Sequence, residues 1–495
     1  MVTESLSQPP RTTSLPVMVV CFSVIGIHVV GYFVPSGLTW GFNFFAFLPS
    51  YVLIAYAALG IAVILFLRSE LASAWFDRAA YYFEQYPWLV LLVVCGIFTG
   101  CAFVFQVQVP LLGDSFIIIK NYDNEFFGAK ELWMFRSPMA VHYFSLIMQM
   151  FEWTQYPAML SAFLVGEIVL GIGFILCLFL TVKNFFTDSK TQLTAFLFLT
   201  CMPYMQIFFG YVEVYAVLLF ALALFFLAVA LYRNRRLPFI IVAIAFIYMA
   251  LAHMMTMFLA PMMLYLTFLE VRSKGVKVTL LTIAGILILC FALFAALGFD
   301  LGKIVNLAPY SNFLTILNAK APYQAYALFS VYHLTELLNA FLLTAPLSLL
   351  LLVVSIGTKK QQLFQQPLTL MMFIAVIPLL LFIAVAKFDL GMAKDWDIVA
   401  SLMFVVSLSS IVFVFLENSS IALKSVQMAT VTMALTSLPW FYLNSTVEEN
   451  IHRTESFQDT RVVSPEGYYL ATIHLAAHYM NVKDMSNLTR VMETH

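Results

Sequence analysis

Four short segments hold most of the side chains in this sequence that could do chemistry away from its basic loops. Leu111-Leu112-Gly113-Asp114-Ser115-Phe116 opens a polar stretch that continues through Lys120, Asp123, Glu125 and Arg136. Gly210-Tyr211-Val212-Glu213-Val214-Tyr215 is the second, and His253-Met254-Met255-Thr256 the third. The fourth is Lys387-Phe388-Asp389 with Lys394-Asp395-Trp396-Asp397. A carboxylate can take the proton of a hydroxyl, and partial burial raises its pKa toward a useful range. Arg holds a phosphate in a fork and Lys holds it as a point charge. A base beside a phosphate site suits transfer of a group from a lipid phosphate to a hydroxyl. Each residue also has a plainer reading. Asp114 and Asp123 read equally as solvated loop acids, Glu213 as a helix-start carboxylate, Asp395 as an N-cap and His253 as a structural histidine.

The elements that must position these groups follow from composition. The chain of 495 residues is 62% hydrophobic and only 10% charged, with a mean hydropathy of +0.94. Soluble domains carry about 25% charged residues, so this chain belongs in a membrane. Apolar runs predict an all-α, polytopic transmembrane bundle of about 13 spans. The runs centre near Ile25, Ala58, Val94, Gly171, Leu199, Leu222, Ile247, Leu264, Ile286, Leu347, Ile377, Val405 and Ala434. The first run, residues 17–34, reads as a retained first span because it is long for a signal-peptide core. Residues 138–153 form an amphipathic stretch that need not cross. Residues 238–270 must hold two short passes or one deep hairpin, turning near His253 to Met257.

Lys and Arg gather on alternate loops, among them Arg68, Arg78, Lys183, Lys190, Arg233, Arg235, Arg236, Arg272 and Lys274. By the positive-inside rule these loops are cytoplasmic and the four acid-bearing segments lie outside. The N-terminus is then inside and the tail after Leu443 outside, which suits a bacterial inner membrane. An ionisable residue at the membrane interface is a functional candidate by default. Residues 1–443 form the membrane domain with its long outer loop at 107–138. Residues 444–495 form a short outer tail, patterned as a small helical hairpin.

Several classes are excluded. A net charge of −1 disfavours a nucleic-acid binder with a broad basic surface. Cys21, Cys95, Cys101, Cys177, Cys201 and Cys290 all lie inside apolar runs, without zinc-ligand spacing or a disulfide framework. There is no Walker loop, dinucleotide fingerprint, nucleophile elbow or H-E-x-x-H. So many acids could hold a divalent metal, although no ligand spacing demands one.

The Leu-Gly-Asp-Ser motif at Asp114, together with the outer-loop topology, resembles the GT-C superfamily of integral membrane glycosyltransferases. That group includes the protein O-mannosyltransferases and the aminoarabinose transferase of lipid A. The resemblance implies a multi-pass helical fold, a polyprenyl- or dolichyl-phosphate sugar donor and an inverting displacement. It makes Asp114 the catalytic base, with Asp123 and Glu125 as rivals. Arg136, Lys387, Lys394 and His253 would then steady the leaving phosphate, and Glu213, Asp395 and Asp397 would orient the sugar. The acceptor would be a hydroxyl of a lipid, glycan or protein, with membrane lipids as surroundings. This sequence has Ser115 where the family often has a second acid. Its acidic loop also follows the third span rather than the first, which two extra N-terminal spans would account for.

Two other classes compete. A transporter or flippase for a lipid-linked or small polar substrate would place ionisable residues near the bilayer midplane and usually show internal symmetry, and none is visible here. A lipid-linked polysaccharide polymerase or ligase leans on outer arginines, and Arg136 stands alone in the outer loops before the tail.

Overall fold

The computed structural model describes residues 15–115, 118–119, 136–152, 158–296, 327–388, 390–416, 420–456 and 465–494. Among them the chain is helical, with no strand. That is the expected answer to a lipid environment, where each backbone N–H and C=O must be paired within its own segment. Helices α1 (Leu15–Phe33), α2 (Ser50–Phe66), α3 (Glu70–Gln85) and α4 (Pro87–Val104) precede the loop that bears Asp114. Helices α5 (Pro138–Phe151), α6 (Ala158–Phe185) and α7 (Ser189–Thr200) lead to the Glu213 turn. Then come α8 (Tyr215–Arg233), α9 (Phe239–Ala252), α10 (Ala260–Lys274) and α11 (Val276–Ala296). Helices α12 (Val331–Thr344), α13 (Pro346–Gln365) and α14 (Pro367–Val385) precede the Lys394 loop, and α15 (Trp396–Val414) and α16 (Ser420–Ser445) follow it. The tail supplies α17 (Val447–Ser456), α18 (Pro465–Asn481) and α19 (Met485–Thr494).

Among the described residues seven helices are long and apolar enough to cross a membrane, or nine if two sharply bent pairs each count as one span. The chain is therefore a multi-pass membrane protein. All the run centres expected from the sequence fall inside helices. Two of the other expected runs form helices that are short for local reasons. Helix α7 has only 12 residues, because Pro203 follows and opens a 3-10 segment, Pro203–Phe208. Helix α9 has 14, where a crossing helix needs about 20. Its partner begins with the 3-10 turn Met254–Leu259 and continues as α10, so the expected break falls at His253.

The bundle has a clear centre. In α15, 94% of the apolar window is buried inside the protein, against 17% in α4. Helices α8, α12, α13 and α14 surround α15. Its small residues Ser401, Ser407, Ser409 and Ser410 are buried and let neighbouring backbones approach closely. Ser407 shares a hydrogen bond with Ser348 of α13 at 2.8 Å. Helix α4, by contrast, leaves Leu89, Leu92, Ile97 and Phe103 exposed, an apolar face for acyl chains rather than for protein.

Candidate functional site

The site is built on three turns that meet at the starts of α8 and α15. The first carries Gly113, whose φ of +64° lies in the left-handed region. Only glycine suits it on two counts. An L side chain is strained there, and a Cβ would run into the Glu213 carboxylate and lie 3.1 Å from Oδ2 of Asp397. The Gly113 N–H donates to the Lys394 carbonyl at 3.2 Å. The next N–H, of Asp114, donates to Oε1 of Glu213. Ser115 turns its hydroxyl back onto the Leu112 carbonyl at 2.8 Å. Asp114 is thereby held by its backbone while its own carboxylate, unlike those of Glu213, Asp395 and Asp397, stays only partly buried.

The second turn, Gly210 to Val214, positions Glu213. Gly210 also has positive φ, +76°. Its N–H and that of Tyr211 both donate to Oε2 of Glu167, at 2.7 and 2.9 Å. Glu167 lies fully buried in α6, so one carboxylate inside a span anchors the turn that presents another. Burial comes first among the causes that push Glu213 well above the usual carboxylate range. The neighbouring acids Asp397, Asp114 and Asp395 add to it, since carboxylates in one place resist joint ionisation.

The third turn carries Lys394, Asp395 and Asp397. Asp395 heads α15, yet its side chain does not cap the helix. Instead Oδ2 accepts the Leu390 N–H at 3.1 Å and closes the loop behind it. Asp397 accepts the Ile398 N–H at 2.8 Å. Lys394 is fully buried, and its ammonium has no hydrogen-bond partner among the described residues. Burial pulls it down to about 7, with Asp395 acting in the opposite sense.

An aromatic stack ties these turns to the tail. The Trp396 indole donates to the Tyr211 hydroxyl at 3.1 Å, and its ring meets Trp440 of α16 edge-on at 5.3 Å. The guanidinium of Arg453 in α17 lies 4.1 Å from the Trp440 ring centre, a cation–π contact. Farther along, Nδ1 of His474 in α18 donates to the Leu111 carbonyl at 3.3 Å. Burial, then the charge of Lys394, lowers His474 to about 3, so it is a neutral neighbour of that lysine. Val109 and Leu111 pack with Ile451, Leu475, Tyr479 and Val491. The Asn450 amide donates to the Val109 carbonyl at 3.2 Å. The tail therefore roofs the loop that carries Asp114.

Of the residues singled out from the sequence, Asp114, Glu213, Lys394, Asp395 and Asp397 come together here. His253 stands one layer back, its ring 5.5 Å from that of Tyr215. Its ring is engaged from one side by the chain that follows it. Nδ1 accepts the Met255 N–H at 3.1 Å, and burial together with Arg136 lowers the ring to about 3. Arg136 is half-buried near His253 and Lys387 is half-buried just beyond α14. Asp123 and Glu125 lie outside the described residues. The sequence reading passed over Glu167, Arg453 and His474. Glu167 carried a signal, a lone carboxylate inside a long apolar run. For Arg453 and His474 there was none, because only tertiary contact links the tail to this loop.

Among the described residues no group of three or more His, Cys, Asp or Glu side chains is arranged to hold a metal ion. No protein-family model, curated protein or solved structure matches this chain.

Proposed function

We propose that this chain is a membrane glycosyltransferase of the GT-C kind. It moves a sugar from a polyprenyl-phosphate donor to an acceptor hydroxyl on the outer face, with inversion and with Asp114 as general base. The observation that supports this most is the division of labour among four clustered acids. Three are buried, and burial with the neighbouring acids holds Glu213 toward its neutral form. Asp114 is the one that reaches the surface, with its backbone fixed by Glu213.

In this reading the acceptor oxygen attacks the anomeric carbon and its proton passes to the Asp114 carboxylate. The bond from the anomeric carbon to the phosphate oxygen breaks, and the lipid phosphate leaves with the electron pair. Lys394 sits near its midpoint at neutral pH, so an arriving phosphate draws a proton onto it and gains a buried counter-charge. Arg136 and Lys387 add positive charge at the rim. Neutral Glu213 and the Asp395/Asp397 pair orient sugar hydroxyls. The neutral His253 offers only its Nε2–H.

A transporter reading draws on the acids Glu167 and Glu336, which lie buried in helices of the bundle. Glu167, however, is engaged by two backbone N–H groups, which is the work of a brace rather than of a mobile proton carrier. The test is transfer by the purified full chain in vesicles containing a polyprenyl-phosphate sugar. Asp114→Asn should lower the rate about a thousandfold with the melting temperature unchanged. Full activity in that variant removes Asp114 as the base, and no transfer by the wild-type chain from any such donor removes the reaction.

A further inference from the structure

A cavity of about 850 Å³ opens at the opposite end of the bundle, where α8 and α10 finish and α14 begins. Its charged lining is Arg233, Arg235, Arg236, Glu270 and Lys274, with Tyr232, Ser273 and Gln366 as the polar neutral groups. Glu270 is already engaged, since it pairs with Lys274 at 2.8 Å and accepts the Tyr232 hydroxyl at 2.5 Å. The three arginines make no ion pair or side-chain hydrogen bond among the described residues. They are held close together by the end of α8. The Arg235 N–H reaches the Tyr232 carbonyl at 2.8 Å and the Arg236 N–H reaches that of Leu231 at 2.9 Å. This closure puts the first of these two donors in the left-handed region, a place usually given to glycine. Here it is Arg235, at φ +58°. The inner walls, by contrast, are apolar, with Leu266 and Met371 buried behind them.

An excess of basic residues in one loop set is ordinary for a membrane protein. Three arginines lining one cavity is a different arrangement, because an anion that enters it can meet more than one guanidinium at once. Their forks match the oxygens of a phosphate, and the apolar wall at the level of the helix ends accepts the first methylenes of a chain. We infer that this cavity binds a phosphate group, either the headgroup of an anionic lipid or a soluble phosphate ester. The inference is independent of the reaction at the acid end.

The test uses full-length protein in a neutral detergent, followed by native mass spectrometry and thermal melting. Phosphatidylglycerol is one probe, phosphatidylcholine its zwitterionic control, and inorganic pyrophosphate the soluble probe. Arg235→Gly is the informative variant, because glycine occupies that backbone conformation without strain and a loss of binding cannot be put down to unfolding. It should weaken binding about fivefold, and Arg233→Gln combined with Arg236→Gln about 30-fold. Retention of phosphatidylglycerol over phosphatidylcholine, lost in the variants, assigns a lipid headgroup. Stabilisation by pyrophosphate alone, lost in the same variants, assigns a soluble ester. Equal binding by wild type and variants, or no binding of either probe, overturns the site.

Discussion

Helix α8 has 19 residues, about 28 Å of rise, and its two ends are built on opposite principles. At Tyr215 the charges are mostly carboxylates, buried and gripped by backbone N–H groups from three turns. At Arg233 they are mostly guanidiniums, exposed around a cavity and joined to nothing in the described chain. Helices α10 and α14 join the same two regions, so the contrast belongs to the bundle and not to one helix. Glycine shows it most plainly. The acid end places glycine at left-handed positions in each of its three turns, Gly113, Gly210 and Gly391, whereas the basic end has Gly275 after α10 but keeps an arginine, Arg235, after α8. Charges withdrawn from water must be fixed by the fold before any substrate arrives. Charges left in water are fixed by what they bind.

Substitutions at the two ends should therefore behave differently. Among substitutions that leave every ionisable group in place, the largest effect is expected for Gly113→Ala, which sets a methyl group against the Glu213 carboxylate at a backbone angle that costs about 1–2 kcal/mol for alanine. Transfer should fall roughly 100-fold, as displacement of a positioned base does, and a normal rate would show that the Gly113 turn does not set the site. Glu167→Leu comes next. It leaves the N–H groups of Gly210 and Tyr211 unpaired, at roughly 1–3 kcal/mol each, and should lower the melting temperature in detergent. Glu167→Gln keeps an acceptor and should cost much less, so equal losses in the two variants would refute the brace.

Lys394 gives a pH signature. Its pKa is depressed from 10.5 to about 7, so the ammonium is present below that value and lost above it. Donor affinity should weaken about fivefold between pH 7 and 8, and Lys394→Arg should flatten the profile. Stability moves the other way. Between about pH 7 and 10.5 the unfolded chain binds a proton at this position that the folded chain does not, so stability rises with pH across that window. The smallest effect is at the basic end, where Arg235→Gly should stabilise the fold by about 1 kcal/mol through relief of left-handed strain. A destabilised Arg235→Gly would mean that the guanidinium supports the fold, and the contrast between the two ends would shrink.

Much of this was readable in the residues, and for physical reasons. Lipid forces the backbone into helices, so apolar runs such as the one behind α15 announced themselves, and alternation across the membrane grouped Asp114, Glu213 and Asp397 before any coordinates. Span length was less legible than span position: the break at His253 was marked by the short run on either side of it, whereas the 12-residue length of α7 depends on the 3-10 turn that Pro203 opens. The surroundings of His253 were not legible, because a histidine's charge is set by burial, which no local pattern reports. Arg453 and His474 were invisible for a related reason. Their partners, Trp440 and Leu111, are fixed by packing of the tail and by nothing in its periodicity.

The seating of α18 on the Asp114 loop has a consequence for timing. Ribosomes deliver the chain in order, so Asp114, Glu213 and Asp397 have all emerged before His474 does. A nascent chain with every helix up to α16 in place still lacks its roof over Lys394 until α18 has packed against Leu111. The roof over this loop is thus the last of its parts to be made, and the contact between α18 and Leu111 forms only after α18 has been synthesised.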